Sequence, residues 1–221
     1  DGLVTTDKVE EMIAAAEGRM RAAHEAVTDR GETGEGDHEP VRGGEPKATP
    51  PTAVPAQKLL ELNEQLLDVP DGFTIHPKLK PQLARRREAM GEAGGIAWAH
   101  AEALAFASLL TEGIPVRLTG QDVARGTFSQ RHLQLHDVGE GETWTPRTGR
   151  VHTPMASLPG ATAAFELYNS PLSEAAAVGF EYGYSTHAPE ALVIWEAQYG
   201  DFANGAQIMI DQFIVSGRAK W

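Results

Sequence analysis

The acid, imidazole and ring side chains placed to do chemistry gather in three short runs: RGTFSQRH at 125–132, SPLSEAAAVG at 170–179 and WEAQYGDFANG at 195–205. Glu174 falls in the first turn of a predicted helix, where the helix dipole favours a carboxylate. Read locally, that is a capping glutamate. His132 is a loop imidazole, able to donate to a carboxylate or shuttle a proton near neutral pH. Phe202 and Tyr199 are rings that pack either in a core or on a planar ligand. His132 and His136 have the spacing of a helical metal pair, but they follow a glycine-containing loop and Asp137 is adjacent rather than a turn away, so no metal site is assigned. Asp37, His38 and Glu39 stand together in a polar run where chance co-occurrence is the simpler explanation. Arg85, Arg86 and Arg87 could meet a phosphate or carboxylate, although a solvated helix face accounts for such a run. The sequence holds no GxSxG elbow, P-loop, HExxH or strand-following GxGxxG, and no cysteine, which excludes thiolate nucleophiles, thiolate metal sites and disulfides.

Those runs need a scaffold. Val9, Ile13, Ala16, Met20 and Ala23 make one stripe of an amphipathic helix over 5–29, with Thr6 or Asp7 as cap and Glu10 completing a capping box. Residues 30–56 follow, with Pro40, Pro46, Pro50, Pro51 and Pro55 among glycines and charges. Such a segment buries too little apolar area to offset its ordering entropy, and it reads as a linker. From 57 onward helix and strand alternate. QKLLELNEQLLDV is a short leucine helix, and a basic helix carries the three arginines. Residues 94–113 form the clearest helix, with Trp98, Ala101, Ala105 and Leu109 as its stripe and Gly113 as its C-terminal stop. IPVRLTG is a buried strand ending in glycine, a helix spans about 172–185, a strand spans 191–195, and a last helix ends at Gly217. The pattern predicts an α/β fold, a mostly parallel sheet with helices on both faces, in which ligands bind beyond the carboxyl ends of the strands. The expected division is 1–56, helix and linker, and 57–221, the α/β domain.

With a formal net charge of -12, the chain is a poor partner for nucleic acid or an anionic membrane. No apolar run reaches the roughly 18 residues of a transmembrane span. The absence of cysteine fits a reducing cytoplasm.

The runs NSPLSEAAAVGFEYGYS, ALVIWEAQYGDFANGAQIMIDQFIVSGRAKW and LTGQDVARGTFSQRH, in their order, resemble the first components of 2-oxoglutarate dehydrogenases, thiamine-diphosphate decarboxylases of the transketolase-like superfamily. The resemblance runs from about Gly94 to the last residue. It implies the pyrimidine-binding domain, C-terminally truncated, and a mechanism. In this family a glutamate hydrogen-bonds a ring nitrogen of the aminopyrimidine and favours the imino tautomer, whose nitrogen deprotonates the thiazolium carbon. The resemblance places Glu174 there as the principal catalytic residue. It places Phe202 against the aminopyrimidine ring, with Tyr199 as a neighbour, and His132 as an active-site histidine near the 2-oxo acid. Arg131 could pair with an anionic substrate, and Gln121 and Asp122 are expected to shape their loop by hydrogen bonding.

The chain also departs from the family. The GDGxxN-like stretch that holds Mg²⁺ and the diphosphate is absent, since Asp71-Gly72 lacks its context. Family members are several times longer and run on past SGRAKW. The resemblance therefore implies a section of a larger enzyme, inactive alone, that works as a homodimer or with a missing diphosphate-binding domain. It implies 2-oxoglutarate as substrate and a lipoyl-bearing dihydrolipoyl succinyltransferase as partner. A beta-type subunit of a pyruvate or branched-chain 2-oxo acid dehydrogenase, a transketolase-like enzyme and a non-catalytic assembly fragment stand as alternatives. Exposed apolar surface is expected where the missing parts belong.

Overall fold

The computed structural model describes residues 4–29, 51–91, 94–139 and 149–217, so the Asp37-His38-Glu39 triplet and most of the Pro/Gly run lie outside the described residues. Two compact units divide near residue 48. The first carries helix α1 (Thr6–Asp29). Its cap is Thr5, not Thr6 or Asp7: the Thr5 hydroxyl accepts the Lys8 N–H at 3.3 Å. The expected stripe is real in spacing but exposed, with Ile13 at 53% and Met20 at 73%.

The second unit is built around three parallel strands in the order β4-β1-β5. These are β1 (Val116–Gly120), β4 (Phe165–Asn169) and β5 (Leu192–Glu196). A two-residue pair, β2 (Leu135–His136) and β3 (Val151–His152), stands apart as an antiparallel ladder. Among the described residues, the helices that accompany the strands include α2 (Ala56–Leu67), α3 (Lys80–Glu88), α4 (Trp98–Thr111) and α5 (Glu174–His187), and the expected last helix appears as α6 (Gln207–Met209) running on into a π-helical turn, Ile210–Val215. Among the described residues, no helix is long and apolar enough to cross a membrane.

Every residue of β1 is buried, as befits the central strand of a sheet covered on both faces. Side chains alternate across a strand, and the two faces differ in chemistry. Val116 and Leu118 join Leu62 and Leu66 of α2 and Leu104, Phe106 and Leu110 of α4 in one apolar core. Arg117 points the other way, into α5, where Glu181 accepts from its Nε at 2.7 Å and from a terminal nitrogen at 3.0 Å. Glu166 of β4 takes a further N–H of the same guanidinium. The rings of Tyr184 and Tyr168 lie 4.6 and 4.7 Å from its carbon, so the cation is paired and sandwiched. Bonds to Glu181, then to Glu166, outweigh burial and hold Arg117 more firmly protonated than usual.

The structure corrects the expected face of α4. The helix turns His100, Ala103, Leu104, Phe106, Ala107 and Leu110 into the protein, whereas Trp98 is 92% exposed and Ala105 lies on the open side. Counting His100 as polar hides this face, because His100 is itself buried and its Nε2 donates to Asn63 Oδ1 at 2.7 Å. Gly113 ends the helix as expected: its φ is 84°, and Ile114 N–H reaches back to the Leu109 carbonyl at 3.0 Å.

Burial, helped by the nearby Arg86 charge, pulls the His100 imidazole from 6.5 down to about 4. The fold thus favours the neutral ring. Its contribution is complete above about pH 6.5 and is lost as pH falls from there toward 4. The urea midpoint of the parent should drop between pH 7 and pH 4.5 by more than that of His100→Gln. Equal drops in the two proteins would show that His100 does not set this pH dependence.

Candidate active site

The parallel register sets Gly120, Asn169 and Glu196 side by side at the carboxyl edge of the sheet. Close packing there demands glycine: a Cβ on Gly120 would lie 2.3 Å from the Glu196 carbonyl oxygen. Beyond this edge three segments converge. They are the loop 121–134 after β1, the turn into α5 after β4, and the 3-10 segment Gly200–Ala206 after β5. The open end of an α/β sheet is where ligands bind.

Glu174 is the first residue of α5 and half-buried. Ser173 occupies the N-cap without making a side-chain cap bond. Glu174 turns instead toward the neighbouring loop, where its Oε1 accepts from Gln121 Nε2 at 3.1 Å. Its other oxygen faces Gly205, where an added Cβ would sit 3.2 Å from Oε2. The 3-10 segment therefore packs its backbone on the start of α5 because residue 205 has no side chain. The same segment carries Phe202, 42% exposed, whose ring meets Tyr199 edge-on at 5.8 Å. Tyr199 in turn meets Phe128 at 6.0 Å, also edge-on, so three rings form one half-open ledge. Nothing in the local sequence marks Phe128 for this place.

His132 is half-buried in the β1 loop with a left-handed φ of 49°. Burial first, then the Arg86 and Arg125 charges, lowers its affinity for a proton, while a bond to the Ser129 backbone works the other way. A neutral imidazole at pH 7 can accept a proton or donate a hydrogen bond. His132 lines a cavity of about 600 Å³ together with His76, Lys78, Asp122, Arg125 and Asn169. His136 lines the same cavity from non-helical backbone, and among the described residues no cluster of His, Asp and Glu is placed to hold a metal ion. His132 makes no hydrogen bond to Glu174. The link between the two halves of the site runs through Gln121 and Asp122, whose Oδ2 accepts from Gln198 of the β5 loop at 3.2 Å.

Two arginines hold the loop in place. Arg86, the middle residue of the basic run, donates to the carbonyls of Gln130 and Arg131 at 2.9 and 2.7 Å. Arg131 is only 3% exposed, paired with Glu102 of α4 at 2.6 Å and with Glu196 of β5. Burial opposes its charge, but the bonds it donates to Glu196 and Glu102 outweigh that and keep it protonated. Arg131 is thus committed to the scaffold, which corrects its assignment to an anionic substrate.

These residues pass a physical test for an aminopyrimidine. A carboxyl with one occupied oxygen stands against a glycine-lined backbone, and a half-exposed aromatic ring comes from the adjoining segment. A ring with a hydrogen-bonding nitrogen needs such an edge and such a face.

Comparison with known proteins bears on the family. A family model described as the transketolase pyrimidine-binding domain matches residues 94–221. The chain is 48% identical over 223 residues to the 2-oxoglutarate dehydrogenase E1 component of Geobacillus kaustophilus strain HTA426, a match covering 100% of this chain and 22% of that protein. It is 46% identical to the protein of the same name from Bacillus mycoides strain KBAB4, with the same coverage. Over 77% of this chain and 17% of the relative, identity to the Bacillus cereus strain B4264 protein of that name is 54%. The chain therefore spans 22% of the length of the relatives it matches from end to end. Its parallel strands and the extent of the family match lead to one conclusion: the chain belongs to the transketolase pyrimidine-binding domain family.

Proposed function

We propose that this chain is the pyrimidine-binding section of a thiamine-diphosphate-dependent enzyme that decarboxylates 2-oxoglutarate and passes the succinyl group to the lipoyl group of a dihydrolipoyl succinyltransferase. One observation carries the reading. The 3-10 segment that carries the Phe202 ring is seated through Gly205 against the Glu174 carboxyl, although Phe202 and Glu174 lie 28 positions apart in sequence (202 − 174).

When bound, thiamine diphosphate supplies a carbon nucleophile able to attack a 2-oxo acid and take up the electrons released with CO₂. This chain's residues hold and prepare it. Glu174 presents a carboxyl oxygen to a ring nitrogen and holds or releases a proton there. Phe202, with Tyr199 behind it, packs on the ring face and fixes its plane. His132, held neutral, faces the cavity beside the strand ends and donates to the 2-oxo acid or carries a proton. Mg²⁺ and the diphosphate are bound by residues outside this chain, in the diphosphate-binding part of a dimer, and the enzyme works in the cytoplasm. Large exposed apolar groups support missing neighbours: Trp98 is 92%, Leu172 82% and Phe180 63% exposed.

Phe202→Ala in the full-length enzyme should weaken thiamine diphosphate binding by roughly 10- to 30-fold, the size of one lost ring contact with its buried area. Phe202→Tyr should stay near the parent. Affinity followed by intrinsic fluorescence quenching decides the point. A dissociation constant for Phe202→Ala within about twofold of the parent would place the aminopyrimidine elsewhere.

A further inference from the structure

We propose that Gln121 is the positioning residue of this site: its side-chain amide occupies one oxygen of the Glu174 carboxyl and so assigns the proton-carrying role to the other. The inference rests on the reading of Glu174 given above and adds to it how the carboxyl is oriented.

Gln121 is the first residue past β1, and its backbone is pinned by the tight approach of Gly120 to the Glu196 carbonyl. The next residue adds a second constraint. Asp122 has a φ of 58°, and its carboxylate accepts from Arg125 and Gln198, each at 3.2 Å. Gln121 therefore delivers its amide from a fixed base. Its Nε2 reaches Glu174 Oε1 at 3.1 Å across 53 residues of sequence. Among the described residues this is the hydrogen bond made to the Glu174 carboxyl.

The two carboxyl oxygens are thus unlike. An oxygen that accepts an N–H is the better carbonyl-type acceptor, so the acid proton resides on its twin. That twin, Oε2, accepts no hydrogen bond among the described residues and faces Gly205, where an added Cβ would sit 3.2 Å away. With the cofactor bound, the proton held at Oε2 would pass to the ring nitrogen, the O–H bond giving way to an N–H bond. The charge left on the carboxylate is stabilised by the amide on Oε1. Reprotonation at Oε2 reverses the step. A neutral donor of this length suits the position, since lysine would hold the carboxyl permanently anionic, glutamate would share the proton, and asparagine is one methylene too short to reach.

Two measurements test the proposal. In this chain, the Gln121 side-chain NH₂ signals in a ¹⁵N–¹H spectrum should move with pH as the Glu174 carboxyl titrates, and that movement should vanish in Glu174→Gln. Signals that ignore pH in the parent overturn the contact. In the full-length enzyme, Gln121→Leu and Gln121→Asn should each lower kcat about tenfold, the size of one hydrogen bond to a charged group, with the cofactor dissociation constant within about twofold. Gln121→Glu should move the Glu174-dependent limb of the pH–rate profile to higher pH, because adjacent carboxyls share a proton. A residue that merely supports the loop would alter affinity or folding and leave that limb in place. Unchanged kcat in both neutral variants, or an unmoved limb in Gln121→Glu, overturns the inference. If Glu174→Gln itself keeps full turnover, the fault lies with the assignment of Glu174. If Glu174→Gln is inactive while the Gln121 variants are normal, only the role of Gln121 is lost.

Discussion

Glu174→Gln in the full-length enzyme is expected to keep its fold and bind thiamine diphosphate within about threefold of the parent, while turnover falls by roughly 10²- to 10⁴-fold, the range for loss of a positioned acid–base group. The substitution is nearly isosteric. It preserves the reach of the side chain beside Gly205 and its contact with the Gln121 amide, at Oε1, but it cannot exchange a proton with a ring nitrogen. Its structural cost is small, because losing a carboxylate from the first turn of a helix costs only about 0.3–1 kcal/mol. Stability and activity should therefore separate cleanly. A capping glutamate would behave in the opposite way, with a modest loss of stability and normal turnover.

A large effect on stability should come from Arg131. Arg131→Met removes a buried guanidinium that joins Glu102 of α4 to Glu196 at the end of β5 and also donates to the Val123 carbonyl at 3.2 Å. Breaking a buried pair from one side costs about 3–5 kcal/mol, because the partner charges are left desolvated. Glu102 and Glu196 keep about a third of their side-chain surface in water, which favours the lower end, about 3 kcal/mol. Urea unfolding of the chain measures this directly. Arg87→Met is the internal comparison. Its pair with Glu64 is more than half exposed on both sides, and its loss should change stability by no more than about 0.5 kcal/mol. An Arg131→Met chain within about 1 kcal/mol of the parent would mean that the network is not buried in solution.

How far the sequence reveals this site depends on how local each feature is. The helix at 174–187, the strands at 116–120 and 192–196 and the stop at Gly113 announce themselves through period, branched residues and a glycine, and all are legible within a residue or two. Strand β4 is not. FELYN follows a Pro- and Gly-rich stretch, and its identity as a strand comes from pairing along its whole length with β1, some 50 residues earlier. The buried face of α4 escapes a pattern reading because His100 and Ser108 are polar by type and buried in fact. Arg131 next to His132 looks available for substrate until its partners appear, 29 and 65 residues away. Gln121 likewise gains its meaning only from Glu174 across the sheet edge. Local chemistry is written in the chain, whereas charge pairing and register are decided by the fold.

The proposed role of Glu174, as the acid that prepares the bound cofactor, has one direct readout, the exchange of the thiazolium C2 proton for deuterium in the full-length enzyme, quenched in acid and counted by proton NMR. With Glu174 intact, exchange should outpace turnover. In Glu174→Gln it should fall by about 10²-fold or more at equal cofactor occupancy. Exchange in that variant as fast as in the parent would contradict this placement and return Glu174 to the role of a helix-capping acid.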